Sequence, residues 1–153
     1  MINSIDSKIM ARLMIQARTS WAELGALLGL SAPAAADRVR RLEEKGVIRG
    51  YHADIDPAAA GCELGAFIAV SLAHPDGRAD FLAFIQRLPE IQECHHVAGE
   101  DDYLLKVRCR NTRALERLIS DELKTTARVL RTRTTIILST AKETCILPLP
   151  DEE

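Results

Sequence analysis

Three consecutive carboxylates, Glu100, Asp101 and Asp102, lie between Gly99 and Tyr103. Three interpretations are open: a charged turn that keeps a hairpin soluble, a cation site, or a receptor for the ammonium group of a small zwitterion. A calcium loop needs oxygen ligands spaced along the chain, and consecutive carboxylates alone do not supply them. In a zwitterion receptor, backbone N–H groups near Gly99 would bind the ligand carboxylate, because glycine lets the backbone approach a ligand closely.

A second group of residues suited to binding is basic and extends from Ser31 to Arg49. Arg38, Arg41 and Lys45 recur on one side of a predicted helix, and such a stripe suits double-stranded DNA. Arg38 is predicted to contact guanine, because a guanidinium can bind two acceptors of that base at once. The small residues at the start of the helix would face base edges, and the other basic residues would contact phosphates. The predicted DNA-binding residues are Ser31, Ala32, Pro33, Ala34, Arg38, Arg40, Arg41, Lys45 and Arg49.

Cys94, His95 and His96 are the residues that most resemble a metal-binding set. Adjacent side chains of a strand point to opposite faces, so only Cys94 and His96 would share a face, and two ligands are too few for zinc. The four cysteines are at least 15 residues apart and form no CxxC pair. No Ser-His-Asp set, Cys-His set or phosphate-binding glycine loop can be assembled from the sequence. We therefore expect no metal, no cofactor and no enzymatic activity.

The basic residues need a scaffold, and the first 50 residues predict three helices. The first helix is expected at about residues 6–16. Ser20 and Glu23 form an S-x-x-E capping box that starts the second helix, and Gly29 ends it. Ser31 then caps the third helix. Two helices joined by a short turn with glycine are typical of a helix-turn-helix, and an amphipathic bundle with a basic outer face is the alternative.

The remainder of the chain changes to the two-residue period of strands. Residues 47–51 resemble a short strand or wing, and residues 51–63 resemble a linker. Strands and amphipathic helices then follow in the order βαββαβ, which is the ferredoxin-like pattern. The strands are expected at 64–72, 91–98, 103–109 and 129–138, and the helices at about 81–88 and 111–123. The predicted fold is α+β, with a helix-turn-helix domain over residues 1–50 and a ferredoxin-like domain over residues 64–153.

The chain of 153 residues has a net charge of −2, which is unevenly distributed. Residues 1–50 carry 8 Lys and Arg against 5 Asp and Glu, whereas residues 51–153 carry 12 against 17. A basic first third suits a polyanion, and an acidic remainder suggests a separate module with another partner. The apolar runs are too short for a membrane-spanning helix, and the N-terminus lacks the apolar stretch of a secretory signal. We therefore expect a cytoplasmic protein without a membrane partner.

Five longer motifs extend over nearly the whole chain. They are Ile5-Asp6, LGLS at 28–31, RVRRLEEKGVI at 38–48, Gly50-Tyr51 and IQECHHVAGEDDYLLKV at 91–107. Together they resemble the leucine-responsive regulator/AsnC family, the feast/famine regulators of bacteria and archaea. The resemblance implies a DNA-binding transcription regulator whose ferredoxin-like domain forms homodimers that assemble into octamers or similar rings. It also implies that an amino acid or related metabolite binds as effector at interfaces between dimers.

The same resemblance implies the residues of an effector site. The family's Gly-Asp-x-Asp-Tyr loop corresponds to residues 99–103, with Glu100 in place of the usual Asp. Thr134 in the last strand and Ser139 further along it match effector-response positions. The effector-binding residues are thus expected to be Gly99, Glu100, Asp101, Asp102, Tyr103, Thr134 and Ser139. The alternative is a ferredoxin-like metabolic enzyme or amino-acid-sensing module with a helical appendage, which would leave the basic stripe from Arg38 to Lys45 without a role.

Overall fold

The computed structural model describes residues 3–126 and 129–149, and the chain divides into two compact units. One unit comprises Met1–Asp54 with Lys142–Glu153, and the other comprises Ile55–Ala141. This division differs from the expected single domain over residues 64–153, because the end of the chain packs with the first unit. There the backbone N–H of Leu147 donates a hydrogen bond to Sδ of Met14 at 3.3 Å.

The first unit contains three helices, α1 (Ser4–Ile15), α2 (Trp21–Leu28) and α3 (Ala32–Glu44). The predicted capping box of Ser20 and Glu23 starts α2, and the Ser31 hydroxyl accepts a hydrogen bond at the start of α3. Helix α1 begins two residues earlier than predicted. The side chain of Asn3 caps it, and Asp6 completes a second capping box.

The helix-turn-helix geometry depends on two glycines. Gly29 ends α2 in the left-handed conformation, with φ 66°, which favours glycine. A Cβ atom on Gly25 would lie 2.6 Å from the backbone oxygen of Leu30, so only glycine lets α2 approach the turn this closely. The helices enclose one apolar cluster. Its buried members are Ile9, Leu13, Leu24, Ala35, Val39 and Leu42.

The segment after α3 forms no strand, so the prediction of a short strand or wing at residues 47–51 is wrong. Gly46 has φ 67° and turns the chain back on the helix. The backbone N–H groups of Val47 and Ile48 both donate to the carbonyl oxygen of Leu42, at 2.9 and 3.1 Å. The segment therefore acts as an irregular extension of the helix end, because its N–H groups bond to α3 instead of to a strand.

The second unit contains one antiparallel sheet with the order β2-β3-β1-β4. Its strands are β1 (Leu64–Leu72), β2 (Ile91–His96), β3 (Tyr103–Cys109) and β4 (Val129–Ile136). A short 3-10 turn (Pro75–Gly77) and α4 (Arg78–Ile85) connect β1 to β2. After β3 come α5 (Thr112–Arg117), a π-helical segment (Leu118–Leu123) and α6 (Lys124–Thr126). The order is βαββαβ, so the predicted ferredoxin-like architecture is confirmed.

The two faces of this sheet differ. Alternate residues of β1 and β3 pack against the helices, and the largest buried members of this core include Ile68, Phe81, Tyr103, Leu105 and Leu123. The opposite face, called the open face below, carries Phe67 of β1 and Leu104 of β3, and no helix of the described second unit covers it. Strands β2 and β4 each end two residues earlier than predicted. Ser139 therefore lies beyond β4 and not on it. Within the described ranges, no helix is both long and apolar enough to cross a membrane.

Candidate functional site

The start of α3 has the exposed, small residues that the sequence predicted. Ser31 and Pro33 are exposed, and Ala32 and Ala34 are half-buried. The Ser31 hydroxyl accepts a hydrogen bond from the backbone N–H of Ala34 at 3.3 Å, which fixes the first turn. This tip offers a smooth surface with few side-chain hydrogen-bonding groups.

Arg38 does not lie free on the surface of α3. Its Nη1 atom is 3.1 Å from Oδ1 of Asp6 in α1, and its side chain is only 31% exposed. The pair links two helices across 32 positions of sequence, so no local pattern could have indicated it. A contact from Arg38 to guanine would require this guanidinium to leave or share the Asp6 carboxylate.

The outward face of α3 is organised around Asp37. This carboxylate lies 2.7 Å from Arg41 and 3.5 Å from Arg40, one oxygen facing each guanidinium. The three side chains are 45%, 67% and 64% exposed in the order Asp37, Arg41, Arg40. Lys45 and Arg49 are exposed as well. Sequence reasoning set Asp37 aside as lying off the basic stripe, although its spacing of three and four residues from the two arginines allows both ion pairs.

In the second unit, the loop between β2 and β3 contains the three carboxylates, and Asp101 is buried. Its side chain is 5% exposed. It accepts hydrogen bonds from the Ser71 hydroxyl at 2.8 Å, from Arg133 at 2.8 Å and from Arg131 at 3.2 Å. The Ser71 hydrogen bond lowers the pKa of Asp101 below its ordinary value, and the two guanidinium groups lower it further. Asp101 therefore joins the loop to β1 and β4.

The two neighbouring carboxylates differ from Asp101 and from each other. An oxygen of Asp102 accepts a hydrogen bond from the backbone N–H of Leu72 at 2.8 Å, and its own N–H donates to the carbonyl of Val70 at 2.9 Å. Glu100 is 78% exposed, and its contact with Arg133 is 3.4 Å long. Two of the three carboxylates thus hold the loop on the sheet, and Glu100 is the one left facing solvent.

Tyr103 lies in the core and not on the surface of the loop. It is 2% exposed, and its ring is 4.9 Å from Phe81 and 5.2 Å from His96, between centroids. Its hydroxyl has no hydrogen-bond partner among the described residues. A buried unpaired hydroxyl costs free energy, so a water molecule or a ligand atom is expected to meet it.

The structure separates Thr134 and Ser139 from the carboxylate loop. Thr134 pairs with Ile68, on the face of the sheet that the helices occupy. Arg131 and Arg133 alternate with it and lie on the open face, where they reach Asp101. Sequence reasoning missed Ser71, Arg131 and Arg133 as partners of the loop. The alternation of Arg and Thr in β4 was a usable signal, since it puts both arginines on one face.

Neither a cavity nor a metal-binding cluster marks the loop. A cavity of about 820 Å³ lies at the other end of β3, between Cys62, Glu90 and the start of α5, and none of the predicted effector residues lines it. Cys94 and His96 share the helix-facing side of β2, as the strand pattern predicts. In the part of the chain that the structure describes, no three His, Cys, Asp or Glu side chains come close enough to hold a metal ion.

Comparison with known proteins assigns both units. Residues 2–43 match the AsnC-type helix-turn-helix domain, and residues 65–147 match the Lrp/AsnC ligand binding domain. The chain is 42% identical to the HTH-type transcriptional regulator LrpA of Mycobacterium tuberculosis, over 91% of each chain. It is 37% identical to the leucine-responsive regulatory protein of Escherichia coli K12, over 93% of this chain and 88% of that protein.

Two solved structures carry the comparison to the fold. A transcriptional regulator of Neisseria meningitidis in complex with L-Met has a TM-score of 0.91 and 31% identity, covering 97% of each chain. The feast or famine regulatory protein of M. tuberculosis complexed with L-methionine has a TM-score of 0.88 and 41% identity, covering 94% of this chain and 96% of that one. These relatives are regulators, and the alternative of a metabolic enzyme is not favoured. The chain belongs to the Lrp/AsnC family of helix-turn-helix transcription regulators.

Proposed function

We propose that this protein binds double-stranded DNA through α3 and that an amino acid or a related metabolite controls this binding. The observation that carries the proposal is the arrangement of α2, Gly29 and α3, which exposes the start and the basic outer face of α3. A helix presented in this way enters the major groove, where its first residues meet base edges and flanking cations neutralise phosphates.

Within the proposed DNA interface, the basic residues have two roles. Arg40, Arg41, Lys45 and Arg49 contact phosphates, because they are exposed and carry their charge beyond the helix surface. Arg38 reads a guanine only after its guanidinium exchanges Asp6 for the base, so Asp6 competes with DNA for it. This exchange makes specific binding by Arg38 weaker than a free arginine would allow.

The proposed effector is a zwitterion, which matches the L-methionine bound to two relatives. Glu100 binds its ammonium group, because it is the exposed carboxylate of the loop. Arg131 and Arg133 are more than half exposed beside it and bind the carboxylate. Asp101 holds both guanidinium groups in place. Thr134 and Ser139 lie away from these groups, so the proposed site rests on Glu100 and the two arginines.

The proposed assembly is a homodimer that builds octamers or similar rings in the cytoplasm. Its support is the open face of the sheet, where Phe67 remains 38% exposed in a single chain. A second copy that covers this face would remove apolar area from water. A two-fold dimer also presents two copies of α3 to half-sites about one helical turn apart or a multiple of it. An effector changes DNA binding only if it binds one assembly more tightly than another.

Calorimetry tests the effector proposal. Each of the twenty amino acids is titrated into wild-type protein, Glu100→Ala and the control Glu122→Ala, which removes a carboxylate from the π-helical segment. We expect at least one amino acid to bind wild type and the control equally, and Glu100→Ala about tenfold or more weakly, since a charged partner is lost. Binding that Glu100→Ala leaves unchanged would place the effector elsewhere.

A further inference from the structure

We propose that Asp37 is a specificity-determining residue of α3 and selects a cytosine in the DNA target. The inference rests on the proposed role of α3 and extends it to a residue outside the basic stripe. Asp37 is the sixth residue of α3, within its first two turns. It lies on the outward face, away from the buried residues Ala35, Val39 and Leu42.

A carboxylate at this position is unfavourable for binding DNA in general. It faces the same surface as Arg40 and Arg41 and would add negative charge close to the phosphates. Surface ion pairs at spacings of three and four residues stabilise a helix only slightly, so helix stability gives Asp37 little reason to lie here. Direct contact with a base gives the same carboxylate a role.

The chemistry of the base edges then limits its target. An ionised carboxylate only accepts hydrogen bonds, and in the major groove only cytosine N4 and adenine N6 donate them. Adenine presents its N7 acceptor next to N6, and this lone pair repels a carboxylate. Guanine and thymine offer no donor there at all. Cytosine is therefore the base that Asp37 accepts from most favourably.

The two ion pairs give Asp37 a second effect. One carboxylate oxygen faces Arg41 at 2.7 Å and the other faces Arg40 at 3.5 Å, so both guanidinium groups are held beside the group that contacts the base. Held there, they can bind the phosphates that flank the cytosine. The negative charge simultaneously weakens binding to DNA that lacks the cytosine, which increases the difference between specific and random sequences.

Selection from a randomised DNA library tests this inference with full-length wild type, Asp37→Ala, Asp37→Asn and the control Glu44→Gln. Glu44 is exposed in the last turn of α3, so the control removes a carboxylate of the same helix away from the base-contacting turns. We expect one position of each wild-type half-site to be cytosine, and its replacement to weaken wild-type binding about 10- to 100-fold. Asp37→Ala loses this preference, Asp37→Asn shifts it to adenine because asparagine pairs with N6 and N7, and Glu44→Gln keeps it.

The inference is overturned if both Asp37 variants select the same bases as wild type. Arg41→Ala, measured in parallel, separates this failure from failure of the proposed function. If Arg41→Ala weakens DNA binding while the Asp37 variants keep the wild-type preference, α3 binds DNA and only the role of Asp37 is wrong. If Arg41→Ala and both Asp37 variants bind as wild type does, the assignment of α3 itself is wrong. Far-ultraviolet circular dichroism checks that each variant remains folded.

Discussion

Asp101 and Arg133 lie 2.8 Å apart, although 32 positions separate them in the sequence. The contact joins the loop between β2 and β3 to the edge strand β4, and the Ser71 hydroxyl joins the same carboxylate to β1. The exposed Glu100 is adjacent to this buried anchor in the chain. The anchor thus sets where the loop can present a negative charge to a ligand.

The anchor predicts a pH-dependent stability. Because the folded protein lowers the pKa of Asp101, its ionised form stabilises the fold above the ordinary pKa of aspartate, about 4. That stabilisation is lost as pH falls through the lowered folded value. We expect Asp101→Asn to be less stable than wild type in urea at pH 7, and the difference to shrink below about pH 4.

Asp80→Asn is the matched control for this experiment. Asp80 is exposed on α4 and takes part in none of these contacts. We expect its substitution to change stability little at any pH, since exposed substitutions usually stay within about 0.5 kcal/mol. An Asp101→Asn variant as stable as wild type at pH 7 would show that the anchor does not hold the loop.

Gly25 predicts a steric requirement in the helix-turn-helix. Gly25→Ala would bring a Cβ atom to 2.6 Å from the backbone oxygen of Leu30, and backbone cannot move aside cheaply. Overpacking of this kind costs about 1–3 kcal/mol, and the better helix propensity of alanine offsets up to about 1 kcal/mol of it. We expect a net loss of about 1–2 kcal/mol by urea unfolding.

Gly99→Ala serves as the comparison for Gly25. No atom lies within 4 Å of a Cβ built at Gly99, so alanine fits there without contact. We expect this variant to keep wild-type stability. If Gly25→Ala were as stable as Gly99→Ala, the close approach of α2 to the turn would not constrain the sequence.

Local signals predicted the helices well, and contacts between distant residues explain what they missed. Ser20, Glu23, Gly29 and Ser31 act within four residues of themselves, so their roles could be predicted from spacing alone. The strand order also follows from the alternation of apolar residues. The irregular segment at residues 47–51 could not be predicted in this way, because its N–H groups bond to Leu42 in α3.

The candidate sites were predicted in outline and not in their pairings. The carboxylate loop and the basic helix could both be located from the sequence. Arg38 reaches Asp6 in another helix, and Asp101 reaches Arg133 in another strand, so the availability of these charges depends on tertiary structure. Tyr103 was expected to face a ligand, but the inward side of β3 takes its ring into the core.

Arg38 and Lys45 are predicted to affect DNA binding differently. We expect Arg38→Ala to weaken binding to the specific site by about 1–3 kcal/mol and to relax base preference. Lys45→Ala is expected to weaken binding to all sequences equally and to lower the salt slope by about one unit. Fluorescence anisotropy with specific and random DNA over a salt series measures both effects.

Asp6→Asn separates the two possible roles of Arg38. Since Asp6 competes with DNA for its guanidinium, this variant is expected to bind the specific site more tightly than wild type. If Arg38→Ala lowered thermal stability but left base preference intact, Arg38 would link α1 to α3 without reading a base.

Phe67 predicts the face through which two copies associate. We expect Phe67→Ser to raise the dimer dissociation constant about tenfold or more in light scattering, because it removes an apolar side chain from the centre of the open face. Leu138→Ser is the control, since Leu138 is almost fully exposed beyond the end of β4. A monomeric wild type at micromolar concentration, or a Phe67→Ser variant as dimeric as the control, would refute this interface.

The most direct measurement of the central claim is a mobility shift with total genomic fragments at about 50 and 200 mM salt. It compares wild type with a variant that carries Arg40→Ala and Arg41→Ala together. The account predicts that wild type retards a subset of fragments at low salt, that high salt weakens this binding by orders of magnitude, and that the double variant loses it. A wild type that retards no fragment at low salt, or a double variant that binds equally well, would contradict the claim that α3 binds DNA.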